Sequence, residues 1–358
     1  MQRRPRAALV EFSDSHVETM PLQAWALHRA GFEVDLLIDG RAADRLAVCR
    51  DFASIIDLGR RGQRAVLRAF LRHMRRRYDL LVFNTAHGPH VRNLAWLAAL
   101  TPGRRAGLVH IADKARDAWS TRAGLLACDA VFTLSEHLSR FVAQHLPMPV
   151  GWFHPVLHEV PPQAVTPPTI DLAVVGSVDP VRRDYRSLVE VLADPRLDAR
   201  VRILALGACD RRRPEVAAWI EEIGRRGLQN RLVISERFLS EPEMQQALAG
   251  CGGLLLLMHP GCDRYENFVE YQVSGACGVA LAHRLPILVE EGMAASLRCM
   301  GSALVPYPVS GMVEAINAVA RQGRETTRLA IARDPAASVH AQAARYLRAV
   351  AGLNPPPA

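Results

Sequence analysis

Along the first half of the chain, short apolar runs alternate with stretches whose apolar residues recur every three to four positions. The runs read as buried strands and the stretches as amphipathic helices. Strand patterns cover 7–12, 32–38, 78–84, 106–111 and 128–135, and helical patterns cover 16–31, 64–77, 92–100 and 136–146. Gly31 suits the end of the first helix and Ser135 the start of the last. Ser15, with Glu18 three residues on, reads as the cap of the first helix. Such alternation predicts a parallel sheet with helices on both faces.

The pattern then breaks. Residues 158–169 hold Pro161, Pro162, Pro167 and Pro168 and no helical period, and they read as a semi-rigid linker. Beyond it the alternation restarts. Strands are expected at 170–178, 201–207, 231–238, 253–259, 286–289 and 302–307, and helices at 184–194, 214–227, 240–251 and 270–283. Ser240, Pro242 and Glu243 form a capping box with proline in the first turn. Residues 338–353 are an amphipathic helix with a proline-rich end read as disordered. The plan is a first α/β domain over 1–157, the linker, a second over 170–335, and a C-terminal helix and tail over 336–358. A length of 358 residues suits two such domains. Parallel sheets bind ligands outside the carboxyl ends of their strands, so a cleft between the two domains is the expected site.

Composition narrows the partners. The net charge is +8, almost all of it arginine, with Lys114 the only lysine. That excess suits phosphate, anionic lipid or nucleic acid. No nucleic-acid motif accompanies it, so no nucleic-acid partner is expected. The seven cysteines form no Cys-x-x-Cys, which fits reduced thiols and neither a disulfide framework nor a zinc site. No stretch of about 18 apolar residues is free of charge, and no signal-peptide pattern opens the chain. The expectation is a cytoplasmic protein with no metal and no cofactor. Helix 61–77, with seven arginines, is either a solvated face or a peripheral contact with anionic lipid.

In order and spacing, these segments resemble a GT-B glycosyltransferase, closest to glycosyltransferase family 4, over residues 7 to 320. In the first half the likeness lies in "HVETMPLQAWALHRAGFEVDLLI", in "GLVHIADKA", with a histidine ending its strand, and in "LLACDAVFTLSEHLSRFVAQHLP". In the second it lies in "IDLAVVGSVDPVRRDYRSLVEVL" and "RLVISERFLSEPEMQQALAGCGGLLLLMHPG". The resemblance implies two Rossmann-like domains, a nucleotide-sugar donor on the second, and an acceptor on the first. The acceptor is open among a glycan, a lipid-linked sugar, a protein and a small molecule. Retention of the anomeric configuration without a metal is implied as well. The chain is a variant: the family's paired glutamates fall at Tyr271 and Val279, and Ser177 stands where the family has arginine.

Candidate residues follow, each beside a plainer reading. His110, implied by the resemblance to touch donor or acceptor, is otherwise a satisfied core histidine. Arg182 and Arg183, after Gly176 and Ser177, suit bidentate phosphate contact or a solvated loop. Ser274 and Gly275 open a helix whose free N–H groups suit a diphosphate. Glu266 and Glu270 are the remaining carboxylates for donor hydroxyls, or solvated helix charges. On the acceptor side stand Lys114 and the loop Ser13, Asp14 and His16, where Asp14 or His16 would serve as a base if configuration inverted. His110, Arg182 and Glu270 are the catalytic candidates. Two rivals share the architecture: a sugar-nucleotide 2-epimerase and a non-catalytic binding protein.

Overall fold

The computed structural model describes residues 3–12, 16–38, 46, 49, 51–58, 62–74, 78–156, 169–237 and 239–351. Ser13, Asp14 and Ser15, nearly all of the linker, and the tail from 352 lie outside the described residues. So do the arginines at 60, 61 and 75–77. The chain divides into two compact units: 1–158 with 271–275 and 338–358, and 159–270 with 276–337.

The first unit is built on a seven-stranded sheet: β1 (Arg6–Glu11), β2 (Glu33–Ile38), β3 (Ser54–Asp57), β4 (Leu80–Phe83), β5 (Arg104–Val109), β6 (Ala130–Thr133) and β7 (Val150–Trp152). Their order is β3-β2-β1-β4-β5-β6-β7, and each neighbouring pair is parallel. Central strands are buried on both faces, which is why they show as continuous apolar runs. The edge strands β3 and β7 are not foreshadowed by the sequence pattern. β3 is four residues alternating half-buried and exposed, and β7 is three half-buried residues. Helix Val339–Ala351 covers β6 and β7 and packs on helix Met20–Arg29. It comes so close that a Cβ on Gly151 would lie 2.3 Å from the Cβ of Ala349.

The first helix starts later than its pattern suggests. A single 3-10 turn, Val17–Thr19, precedes Met20–Arg29, and His16 sits in the left-handed region at φ 63°. Thr19 makes no capping bond, and its hydroxyl donates to Asn84 Oδ1 at 2.6 Å.

The second unit holds six parallel strands: β8 (Ile170–Val175), β9 (Val201–Leu206), β10 (Leu232–Ile234), β11 (Gly253–Leu255), β12 (Ile287–Glu290) and β13 (Leu304–Tyr307). Their order is β10-β9-β8-β11-β12-β13. Ser240 and Glu243 form the expected capping box of helix Glu241–Gly250. The stretch 270–283 is not one helix. Tyr265–Glu270 and Gly275–Ala282 are separate. Between them Gln272 pairs with Ile111, and the Tyr271 carbonyl accepts from Ala112 N–H at 2.8 Å. Main-chain groups committed to that pairing cannot continue a helix. Helices Met312–Gln322 and Arg324–Ala332 were not anticipated.

Both sheets share one winding. The chain steps outward from β1 to β3 and then returns to pair β4 with β1, and it does the same at β8 and β11. The carboxyl ends of those strands are the switch points of the doubly wound fold. Among the described residues no helix is long and apolar enough to cross a membrane, and no cluster of metal-ligating side chains occurs.

Candidate functional site

In the first unit, polar side chains gather past the carboxyl ends of β1, β4 and β5. Glu11, the last residue of β1, is 1% exposed. Its Oε2 accepts from Asn84 Nδ2 and from Thr85 Oγ1, both at 2.7 Å. Asn84 is also fixed from its other side, its Oδ1 accepting from Thr19 and from Gln23 Nε2 at 2.6 Å. This buried network sets the loop after β4 against the loop after β1.

On it rest three histidines. His110 Nε2 lies 2.7 Å from the Asn84 carbonyl. A carbonyl only accepts, so Nε2 carries the proton and Nδ1 is a bare lone pair. The backbone N–H of His110 donates to His87 Nε2 at 3.1 Å, which places the proton of neutral His87 on Nδ1. Both Nδ1 atoms are buried without a partner. The two unpaired ring nitrogens therefore have opposite character, His110 accepting and His87 donating. Burial first, then the neighbouring histidines, pushes His110 well below its ordinary range. Burial and the nearby Lys114 ammonium push His87 down to about 3. His16 stacks on His110 with ring centroids 3.8 Å apart.

The structure thus brings His16, His110 and Lys114 together. Glu11, Asn84 and His87 belong to the same cluster but carry no signal in the sequence beyond their position after strands. Gly275 opens its helix within the same unit, and a Cβ there would lie 3.3 Å from Glu18 Oε1. That carboxylate is thus an anion beside the helix start that Ser274 and Gly275 form.

In the second unit a corresponding cluster lies past β8, β9, β11 and β12. Gly176, at φ 103°, follows β8. A Cβ on Gly207 would meet the Gly176 carbonyl oxygen at 2.2 Å, so the loops after β8 and β9 touch backbone to backbone. Arg183 braces this turn. Its guanidinium donates to the carbonyls of Ser177 and Val175, both at 2.8 Å, and burial lowers its pKa. Arg182 is directed elsewhere, its guanidinium carbon 6.0 Å from the Phe268 ring centre. Glu266 and Glu270 are exposed on helix Tyr265–Glu270 and do not join the turn.

Asp184 caps helix Tyr185–Ala193, accepting from Ser187 N–H at 2.9 Å. Its other oxygen lies 2.8 Å from His259 Nδ1, and His259 Nε2 lies 2.9 Å from the Tyr307 hydroxyl. Burial alone would raise the Asp184 pKa, but the bonds from His259 and Ser187 outweigh it and hold the carboxyl at about 2. This relay fixes the loop after β11, where Leu257 takes a left-handed φ of 53°. Next to it, Glu290 ends β12 and accepts from the Tyr265 hydroxyl and from Met293 N–H. The carboxylate at the end of β12 is thus Glu290, which the sequence pattern did not single out.

No family model matches the sequence, and no curated protein does. Solved structures do match. The Anabaena protein Alr3699/HepE, in complex with UDP and glucose, is 14% identical over 96% of this chain and 95% of its own, with a TM-score of 0.65. A glycosyltransferase from Rickettsia africae is 13% identical over 97% and 98%, at 0.66. A putative UDP-N-acetylglucosamine 2-epimerase from Listeria monocytogenes is 10% identical over 99% of both chains, at 0.64. At such identities the likeness carries the fold alone, and that fold is GT-B: two Rossmann-like domains, each on a parallel sheet.

Proposed function

We propose that the chain is a glycosyltransferase moving a sugar from a nucleotide-sugar donor to an acceptor hydroxyl. The observation that carries this reading is the gathering of buried polar groups at the switch point of each sheet, where doubly wound folds bind their ligands. On the second unit, the contact between Gly176 and Gly207 suits the approach of a diphosphate to main-chain N–H groups. Arg183 holds that turn. Main-chain N–H groups at that turn would offset charge on the departing diphosphate, so no metal is required for that step. Retention of configuration belongs to this reading through the family resemblance. On the first unit, the opposed Nδ1 atoms of His110 and His87 suit hydroxyl groups, one accepting and the other donating. Both rings stay neutral at pH 7, and neither competes as a cation.

A second reading is a sugar-nucleotide 2-epimerase. The Listeria neighbour, matched over 99% of both chains, favours it, and Glu11 and Glu290 are buried carboxylates at strand ends. The test is a thermal-shift panel with UDP, GDP, dTDP and ADP, each with and without magnesium. A ligand bound only by the native state raises the melting point. A shift with one nucleotide, unchanged by magnesium, names the donor class. That donor is then followed by mass spectrometry. Transfer or hydrolysis supports the proposal, epimerisation the second reading, and binding without turnover a non-catalytic protein.

A further inference from the structure

The first unit also carries an apolar, basic face that the sugar chemistry does not use. Helix Gly88–Ala98 packs on helix Trp119–Leu125, and helix Gly62–Met74 lies beside the former. Trp119 is 72% exposed, Trp96 52% and Leu100 84%. Single exposed apolar residues are ordinary, but these are joined. Trp96 Nε1 donates to the Ala123 carbonyl at 3.0 Å, which lays its indole against the Trp119 helix. The Arg92 guanidinium carbon sits 5.0 Å from the Trp119 ring centre. Leu100 lies one turn beyond Trp96, and Leu126, also exposed, one turn beyond Arg122.

The charge on the three helices has one sign. Arg122 is exposed on the second helix, and Arg68 and Arg72 on the third. No aspartate or glutamate occurs between Asp79 and Asp113. Asp79 is paired with Arg3 at 2.9 Å, Asp117 with Arg116 at 2.7 Å and Asp129 with Arg105 at 2.7 Å, and Asp113 is half-buried.

We propose that this face seats the protein on an anionic lipid bilayer. Indole rings are apolar bodies with a polar edge, which suits the headgroup boundary. Arginines around them meet lipid phosphates, and each adds to the affinity within a Debye length. The charge pattern distinguishes this occupant from a second copy of the chain, whose equally basic face would repel.

Flotation of the full chain with vesicles tests this. Vesicles of phosphatidylcholine alone are compared with vesicles holding one part in three of phosphatidylglycerol. Binding is expected to the anionic vesicles only and to fall as salt rises. The pair Trp96→Ser with Trp119→Ser, and separately Arg92→Glu with Arg122→Glu, should each cut partitioning by about tenfold or more. Melting points and any nucleotide-induced shift should stay as in the parent, so a failure here is separate from a failure of the sugar-transfer reading. Equal binding to neutral vesicles, no binding, or anionic binding untouched by both variants would overturn the proposal. So would a dimer in sedimentation that the tryptophan variant disperses, since the face would then join two copies.

Discussion

At the switch point of the first unit, two imidazoles are buried with only backbone groups bonded to their ring nitrogens. At that of the second, a half-buried carboxylate is bonded to an imidazole. At His110 and His87 desolvation prevails, the Asn84 carbonyl opposing it only in part at His110, and their pKa values fall. Asp184 is desolvated too, yet His259 and Ser187 bond its charged form and its pKa falls to about 2. Burial disfavours whichever form carries charge, and a hydrogen bond to that form reverses the outcome. The two rings are therefore kept neutral by burial, and the carboxylate keeps its charge in spite of it. The first suits hydroxyl groups, and the second anchors the loop after β11.

The largest expected effect comes from filling the space between the loops of the second unit. Gly207→Ala drives a methyl group into the Gly176 main chain, which cannot step aside as a side chain would. We expect a loss of about 3 kcal/mol. Hydrogen exchange should rise across β8 and β9 and stay unchanged in β5. A uniform rise in both units would show that the two sites are not separable in this way.

Asp184→Asn comes next. The amide can still accept from His259 but carries no charge, and it sits where three donors converge. A loss of about 2 kcal/mol at pH 7 follows from charge-assisted bonds of this kind. Urea denaturation would show it, and an unchanged midpoint would mean that the relay does not stabilise the unit.

The first unit should instead show itself in mild acid. The ordinary imidazole value is 6.5, and His87 in the fold is near 3. Between those values the unfolded chain binds a proton that the folded chain refuses, so stability falls as pH falls. One such ring gives about 1.4 kcal/mol per pH unit across that window. His87→Gln keeps an acceptor for the His110 N–H and removes the titration, so its slope between pH 6.5 and 5 should be one proton shallower. Equal slopes in parent and variant would remove His87 from the account.

How much of this was legible in the sequence differs between scaffold and site. Strands buried on both faces announce themselves as apolar runs, so β1, β2, β4 to β6 and most of the second sheet could be read. β3 and β7 could not, because short edge strands need less apolar surface. His110 was legible as a polar residue ending an apolar run. Glu11 was not, since a carboxylate at a strand end reads as solvated until Asn84 and Thr85, 73 and 74 residues away, are seen to bond it. Asp184 and His259 are likewise 75 residues apart, joined only by the winding of the sheet. The break at 271–274 depends on pairing with Ile111, which no local pattern records.

The smallest expected effect separates the two bonds Ser187 makes to Asp184. Its hydroxyl donates to Oδ2 at 2.5 Å and its main-chain N–H to Oδ1 at 2.9 Å. Ser187→Ala deletes the first and leaves both the second and His259, so the helix cap survives. A loss of about 0.5–1 kcal/mol at pH 7 is expected. A carboxyl depressed in the fold contributes stability that is complete above its ordinary 3.8 and lost as pH falls through about 2. With one donor fewer the depression is smaller, so the variant's deficit belongs to the ionised form. It should shrink between pH 7 and pH 2, where both proteins carry more of the protonated form. A deficit of the same size at both pH values would mean that the hydroxyl contributes by packing alone, and that the charge on Asp184 rests on His259 and the main chain.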